Sequence, residues 1–286
     1  MVAALTGPGP VSWVLTAQGN GAELTGGFAC AIARCAQAQL FVKWTKNGLP
    51  ADDLAREAGN LARVASVPGV AHLVAFDAAA AVLVTQAVTP DPSARWDAAT
   101  LGAAAATLAA LALLDTTGLP RVQDWSEFED RGARSASSAV ELLAATGGDH
   151  ALAAYLLNCY DQVRAWPSGP AVACHADPHP GNWVLTATGP VLVDFETLAT
   201  GPAGFDAAFL AAYLNVAAPV RLAWLAVAGV DAAVAATVAG ACATRMGWAL
   251  RSGEGQAHPG EPAGRWPKDV EMAAVLELVA ALRPTP

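Results

Sequence analysis

Over roughly the first ninety residues the apolar positions recur with a period of two, in short runs. The clearest run is 39–45, where Leu40, Val42 and Trp44 alternate with Phe41 and Lys43; this is the pattern of a strand with two different faces. Shorter β-branched or aromatic runs predict strands over 11–16, 29–35, 72–77 and 81–86. One stretch in this part has a helical period: over 52–67, Leu54, Ala58 and Leu61 share a face, Asp52 or Asp53 stands where a cap is needed, and Pro68-Gly69 stops the helix.

After Pro92 the period becomes helical, over 97–115, about 133–146 and 149–166, and Pro167-Ser168-Gly169-Pro170 ends that series. A strand pair follows, 183–186 and 190–195 about a turn at Gly189, and then helices over 204–215, 219–228, 230–250 and 267–283. The Gly- and Pro-rich stretch 252–266 reads as a loop, and no internal repeat is found. The order predicts an α+β protein of two parts: a small β-rich part over 1–88 with one helix, and a larger, mainly helical part over 89–286 that carries a hairpin.

Composition narrows the picture. With 286 residues, 54% of them apolar and only 14% charged, the chain can bury a sizeable core. A net charge of −9 argues against nucleic acid or an anionic membrane surface as partner and favours a cationic ligand. Five cysteines, odd in number and without a CxxC pair, predict neither a disulfide framework nor a zinc site and suit a reducing cytoplasm. The start, MVAALTGPGP, lacks a basic n-region, so no signal peptide is expected. The longest uncharged stretch, 98–114, is Ala-rich and falls short of a membrane span, which predicts a buried helix.

The chemistry concentrates at His175-Ala176-Asp177-Pro178-His179-Pro180-Gly181-Asn182 and at Asp194. Two carboxylates and an amide are hard oxygen ligands suited to Mg²⁺ on phosphates. Asp177 and Asn182 share one loop, and a hairpin would return Asp194 to it. Phosphoryl transfer needs a base to orient a hydroxyl and ligands to hold metal on the β- and γ-phosphates. Asp177 suits the first role, Asn182 and Asp194 the second. His175-x-Asp177-x-His179 is a poor zinc motif, because His72, His150 and His258 are all distant in sequence. No G-x-S-x-G and no phosphate-loop G-x-x-x-x-G-K-[ST] occurs.

This loop, followed by Val193-Asp194-Phe195-Glu196, resembles the aminoglycoside phosphotransferase and choline kinase family, whose loop usually reads HGDxHxxN. Gly201-Pro202 and Phe205-Asp206 continue the likeness. The resemblance implies a two-lobed, protein-kinase-like fold and transfer of the γ-phosphate of ATP (or GTP), with Mg²⁺, to a hydroxyl of a small molecule. It implies that Asp206 braces the catalytic loop and that His175 and His179 are scaffold. Two departures stand out: Ala176 in place of the usual Gly, and Pro178 after the catalytic Asp.

A kinase-like first lobe needs a strand lysine for the phosphates and a helix glutamate to hold it. Lys43 in the 39–45 strand and Glu57 in Arg56-Glu57-Ala58-Gly59-Asn60-Leu61 have that order. Gly26-Gly27 would let the backbone approach the phosphates. The resemblance further implies adenine contacts at Gln86 and Val88. Glu196 is expected near the site. Asp124, Glu127, Glu129, Asp130, Glu254 and Glu261 are candidates to pair with a cationic acceptor, of antibiotic type or of a metabolic type such as choline, ethanolamine or a sugar. A nucleotide-binding protein without turnover is disfavoured, because Asp177, Asn182 and Asp194 are all present. Most of the nine tryptophans belong in the core, with Trp125, Trp248 and Trp266 as weaker candidates for substrate contact.

Overall fold

The computed structural model describes residues 11–15, 28–34, 39–45, 52–122, 142–166, 171–252 and 268–283. These divide into two compact units. The first holds the described residues up to Ala94 together with Val184–Glu196, and the second holds most of the rest.

The first unit is built on an antiparallel sheet of five strands: β1 (Ser12–Leu15), β2 (Phe28–Arg34), β3 (Gln39–Thr45), β4 (Leu73–Asp77) and β5 (Val82–Gln86), in the order β1-β2-β3-β5-β4. β3 lies at the centre, with Lys43 opposite Cys30 on one side and Leu83 on the other. The alternation in β3 therefore separates two covered faces. Leu40 and Val42 join Ala33 and Val84 in one cluster, against which Trp44, Ala75 and Val82 pack. Lys43 is on the opposite face and is nevertheless buried. Helix α1 (Asp52–Arg63) starts with two acids, favourable at a helix N-terminus, and buries Leu54, Glu57, Ala58 and Leu61.

The hairpin strands β7 (Trp183–Thr186) and β8 (Gly189–Leu192) turn over Ala187 and Thr188, and β8 opens on Gly189, whose φ of 129° suits glycine. The end of β8 is stitched to the segment after α1: the Leu192 N–H donates to the Gly69 carbonyl at 2.8 Å, and the Ala71 N–H donates to the Leu192 carbonyl at 2.9 Å. β8 ends at Leu192, where the sequence predicted a strand through Phe195; Phe195–Thr197 is instead one turn of 3₁₀ helix. The cause is Asp194, which sits at φ +65°, a left-handed conformation that ends extended pairing.

The second unit holds α2 (Ala98–Leu111), α3 (His150–Arg164), the strands β6 (Val172–Cys174) and β9 (Ala199–Gly201), then α4 (Phe205–Tyr213), α5 (Ala218–Val227), α6 (Ala232–Ser252) and α7 (Lys268–Leu282). The sequence reading missed β6 and β9; at three residues each they carry no readable alternation. The Asp97 side chain caps α2 through Thr100 N–H, and the Asp149 side chain caps α3 through Leu152 N–H. α2 is a core helix, with Leu101, Ala104, Leu108 and Leu111 buried. Trp224 of α5 is core too, its indole N–H donating to the Leu101 carbonyl at 2.8 Å. α3 and α6 approach closely at Gly240, where a Cβ would lie 2.6 Å from Cys159 Sγ. Phe205 and Phe209 of α4 are each 1% exposed and contribute roughly 2–3 kcal/mol apiece by burial. No described helix is long and apolar enough to cross a membrane.

Candidate active site

In the second unit the chemistry-bearing loop leaves β6 at Cys174 and is fixed residue by residue. Asp206, in the first turn of α4, is buried and accepts two backbone hydrogen bonds, from His175 N–H at 2.6 Å and Ala176 N–H at 3.0 Å. This is the bracing that the resemblance implies. Burial pushes the Asp206 carboxyl up to about 7, against the two N–H donors, which pull it down. His175 is fully buried; its carbonyl accepts from the Thr197 hydroxyl at 2.7 Å, and its Nδ1 faces the Asp177 N–H at 3.3 Å.

Asp177 then projects with about 29% of its side chain exposed. The Asn182 amide donates to the Asp177 carbonyl at 2.8 Å and closes the loop across Pro178–Gly181. The Pro178 carbonyl accepts the Trp183 indole N–H at 3.1 Å. Pro178 is buried, and a proline brings no N–H there that burial would leave to be satisfied. His179 caps the turn, its Nδ1 accepting from the Gly181 N–H at 2.9 Å, while its Nε2 lies 3.7 Å from Asp177 Oδ2. Both histidines thus take part in the hydrogen bonding that shapes the loop. From the neighbouring helices, Tyr213 tilts toward His179 at 6.4 Å and stacks on Phe209 at 4.9 Å, and the Arg245 guanidinium lies over Phe209. The Cys242 thiol is pushed well up by burial, with the Asp177 charge adding to the effect.

In the first unit Lys43 is the centre of a second cluster. Its ammonium donates to Glu57 Oε2 at 2.9 Å, to Asp194 Oδ1 at 3.1 Å and to Glu196 Oε1. Burial favours the neutral amine, but the charges of Glu57, Asp194 and Glu196 outweigh it and hold the pKa well above that of an ordinary lysine. Burial pushes the Glu57 carboxyl up to about 7, opposed by Lys43. The predicted strand lysine and helix glutamate are therefore a formed ion pair, and Asp194 joins them. The part of Glu196 as a third partner of Lys43 was legible only as nearness to Asp194. Oxygen atoms of Glu57, Asp194 and Glu196 lie within 4.8 Å of one another, a hard-oxygen set that fits a divalent cation.

Other predicted residues are placed less fully. The Gln86 N–H donates to the His72 carbonyl at 2.9 Å and the Ala87 N–H to the Gln39 carbonyl at 3.0 Å, so both are occupied within the sheet. Gly26, Gly27, Asp124, Trp125, Glu127, Glu129, Asp130, Glu254, Glu261 and Trp266 lie outside the described residues, as does the side chain of Trp248.

A model of the phosphotransferase enzyme family matches residues 34–245. The chain belongs to that family. It is accordingly a phosphotransferase that acts on hydroxyl groups of small molecules. Among solved structures it is similar to the choline kinase LicA from Streptococcus pneumoniae, at 15% identity and a TM-score of 0.61, over 98% of this chain and 96% of that one. The macrolide 2′-phosphotransferase MphH from Brachybacterium faecium is similar at 19% identity and a TM-score of 0.55, over 100% and 96%. A spectinomycin phosphotransferase in complex with ADP and spectinomycin is similar at 10% identity and a TM-score of 0.59, over 95% and 92%. At these identities the likeness establishes the fold, which is α+β and protein-kinase-like. Comparison with curated protein sequences gives no match.

Proposed function

We propose that this phosphotransferase moves the γ-phosphate of ATP (or GTP) to a hydroxyl of a small cationic acceptor, with Asp177 as base. The observation that carries this reading is the double hold on Asp177: Asp206 fixes the backbone before it, and Asn182 fixes its own carbonyl at 2.8 Å. A carboxylate so placed accepts the acceptor's hydroxyl proton as its oxygen bonds to the γ-phosphorus. The bond from that phosphorus to the bridging oxygen breaks, and the nucleoside diphosphate leaves with the electron pair.

Lys43, held by Glu57, supplies the positive charge for the nucleotide phosphates. Gly26 and Gly27 would cover those phosphates. With the Gln86 N–H occupied, an adenine hydrogen bond donated by the 86–88 segment falls to Val88. Asn182 and Asp194 would hold Mg²⁺, with Glu196 near Asp194; when bound, the ion neutralises charge on the β- and γ-phosphates.

A net charge of −9 supports a cationic acceptor. An antibiotic-type acceptor is the first reading. The similarity to choline kinase LicA favours, as a second, a metabolic acceptor such as choline or ethanolamine. The test is diphosphate release from ATP with Mg²⁺ across a panel of choline, ethanolamine, spectinomycin, aminoglycosides, a macrolide and simple sugars. One class should raise the rate above the background hydrolysis. Asp177→Ala should lower that rate at least a thousandfold and leave ATP binding nearly unchanged; a variant that keeps its rate would overturn the mechanism.

A further inference from the structure

We propose that Asn60 and Arg56 of α1 are positioning residues for Asp194: they hold the two backbone carbonyls that follow it and so fix the carboxylate for metal binding. The inference rests on the reading of Asp194 as a metal ligand.

Asp194 is one of the few described non-glycine residues at positive φ, at +65°. Such a conformation persists only where the surroundings over-determine it. Before Asp194, Leu192 is paired on both backbone groups with Gly69 and Ala71. After it, the Asn60 side-chain amide donates to the Phe195 carbonyl at 2.7 Å, and Arg56 Nε donates to the Glu196 carbonyl at 3.1 Å. Arg56 and Asn60 are four residues apart on one helix and so present neighbouring groups on one face. Asp53 holds the Arg56 guanidinium from the preceding turn at 2.8 Å. The Phe195 side chain is fully buried, which anchors the same turn from within.

Asp194 thus spans two fixed points, and its strained backbone is what directs Oδ1 to within 3.1 Å of Lys43 Nζ. α1 does two things with adjacent residues: Glu57 holds the phosphate-type lysine, while Arg56 and Asn60 hold the metal-type segment. A shift of α1 would move both together.

The test compares the affinity of the full chain for ATP in EDTA with its affinity at saturating Mn²⁺, a stand-in for Mg²⁺. The gain on adding metal isolates the metal ligands from the rest of the site. Asn60→Ala and Asn60→Asp, which cannot donate to Phe195, should cut that gain about tenfold, with metal-free ATP affinity and melting temperature close to wild type. Asn60→Gln, which keeps the amide donor, should restore most of it. Asp194→Ala should abolish the gain.

If Asp194→Ala keeps the full gain, the metal-ligand reading fails and the inference falls with it. If Asp194→Ala loses the gain while Asn60→Ala and Asn60→Asp keep it, the positioning role alone is wrong. An Asn60→Gln variant as impaired as Asn60→Ala also overturns it. Should Asn60→Asp not fold, Asn60→Ala and Asn60→Gln carry the comparison.

Discussion

The Ala176 N–H donates to Asp206 Oδ1 at 3.0 Å from a backbone at φ +69°, a conformation that costs an alanine energy and a glycine none. This is the position where the family usually has glycine. The loop keeps the shape and places a Cβ in it. Ala176→Gly should relieve that strain, offset in part by the greater freedom of glycine in the unfolded chain. The expected result is a stabilisation of up to about 1 kcal/mol, read as a rise in the urea midpoint with an unchanged slope. A drop of that size would show that the Ala176 methyl packs better than its backbone is strained.

Asp206 gives stability a dependence on pH. Its carboxyl is raised from 3.8 to about 7, so between those values the folded state binds more protons than the unfolded. The contribution of this group to stability is then greatest below about pH 4, falls as pH rises through 7, and levels off above. Glu57, raised from 4.5 to about 7, acts in the same direction. Asp206→Asn should make the decline between pH 4 and pH 7 shallower, leaving the share of Glu57. At about pH 4 it should also lower stability by about 1–3 kcal/mol, because an amide turns its NH₂ group toward one of the two N–H donors. Urea midpoints across that pH range measure both effects.

Lys43 is shared among three carboxylates, those of Glu57, Asp194 and Glu196. Under the proposed function, nucleotide phosphates must compete with Glu196 for that ammonium. Glu196→Gln should therefore tighten binding of metal-free ATP severalfold in a direct titration. Glu57→Gln should weaken it, because the buried ammonium loses the partner that orients it. Equal effects in both variants would mean that the three carboxylates are interchangeable.

Arg221 of α5 is fully buried and pairs through Nη2 with Glu277 at 3.1 Å, while its Nε and Nη1 have no hydrogen-bond partner among the described residues. Glu277 is itself 57% exposed, so the pair offsets little of the desolvation of the guanidinium. Arg221→Met fills similar space without orphaned donors and should leave stability unchanged or raise it by about 1–2 kcal/mol. Thermal unfolding tests this directly; a loss of several kcal/mol would reveal a partner for those nitrogens.

Legibility differed along the chain for physical reasons. The 39–45 strand was readable because its alternation is set by which side chains can tolerate each face. The helix from Asp52 was readable because its acids and apolar stripe agree, although it ends at Arg63, four residues short of the end that Pro68-Gly69 predicted. β6 and β9 were not, since three residues hold no period, and the hairpin's second strand was read three residues too long. Val193 continues an apolar run, but whether β8 extends past Leu192 depends on the carbonyls that α1 captures, and no local signal carries that.

What the sequence by itself determined is the chemical inventory and its order: Lys43, Glu57, Asp177, Asn182, Asp194 and Asp206, with the strands and helices that carry them. Spacing and side-chain type suffice for that, because they are local properties. What only the tertiary structure decided is how those groups are held. Glu196 reaches Lys43 across 153 residues, Asp206 reaches back 31 residues to the His175 N–H, and Asn60 grips the Phe195 carbonyl across 135. Such contacts depend on how distant segments pack, and burial then sets the charge and strain of the groups they join.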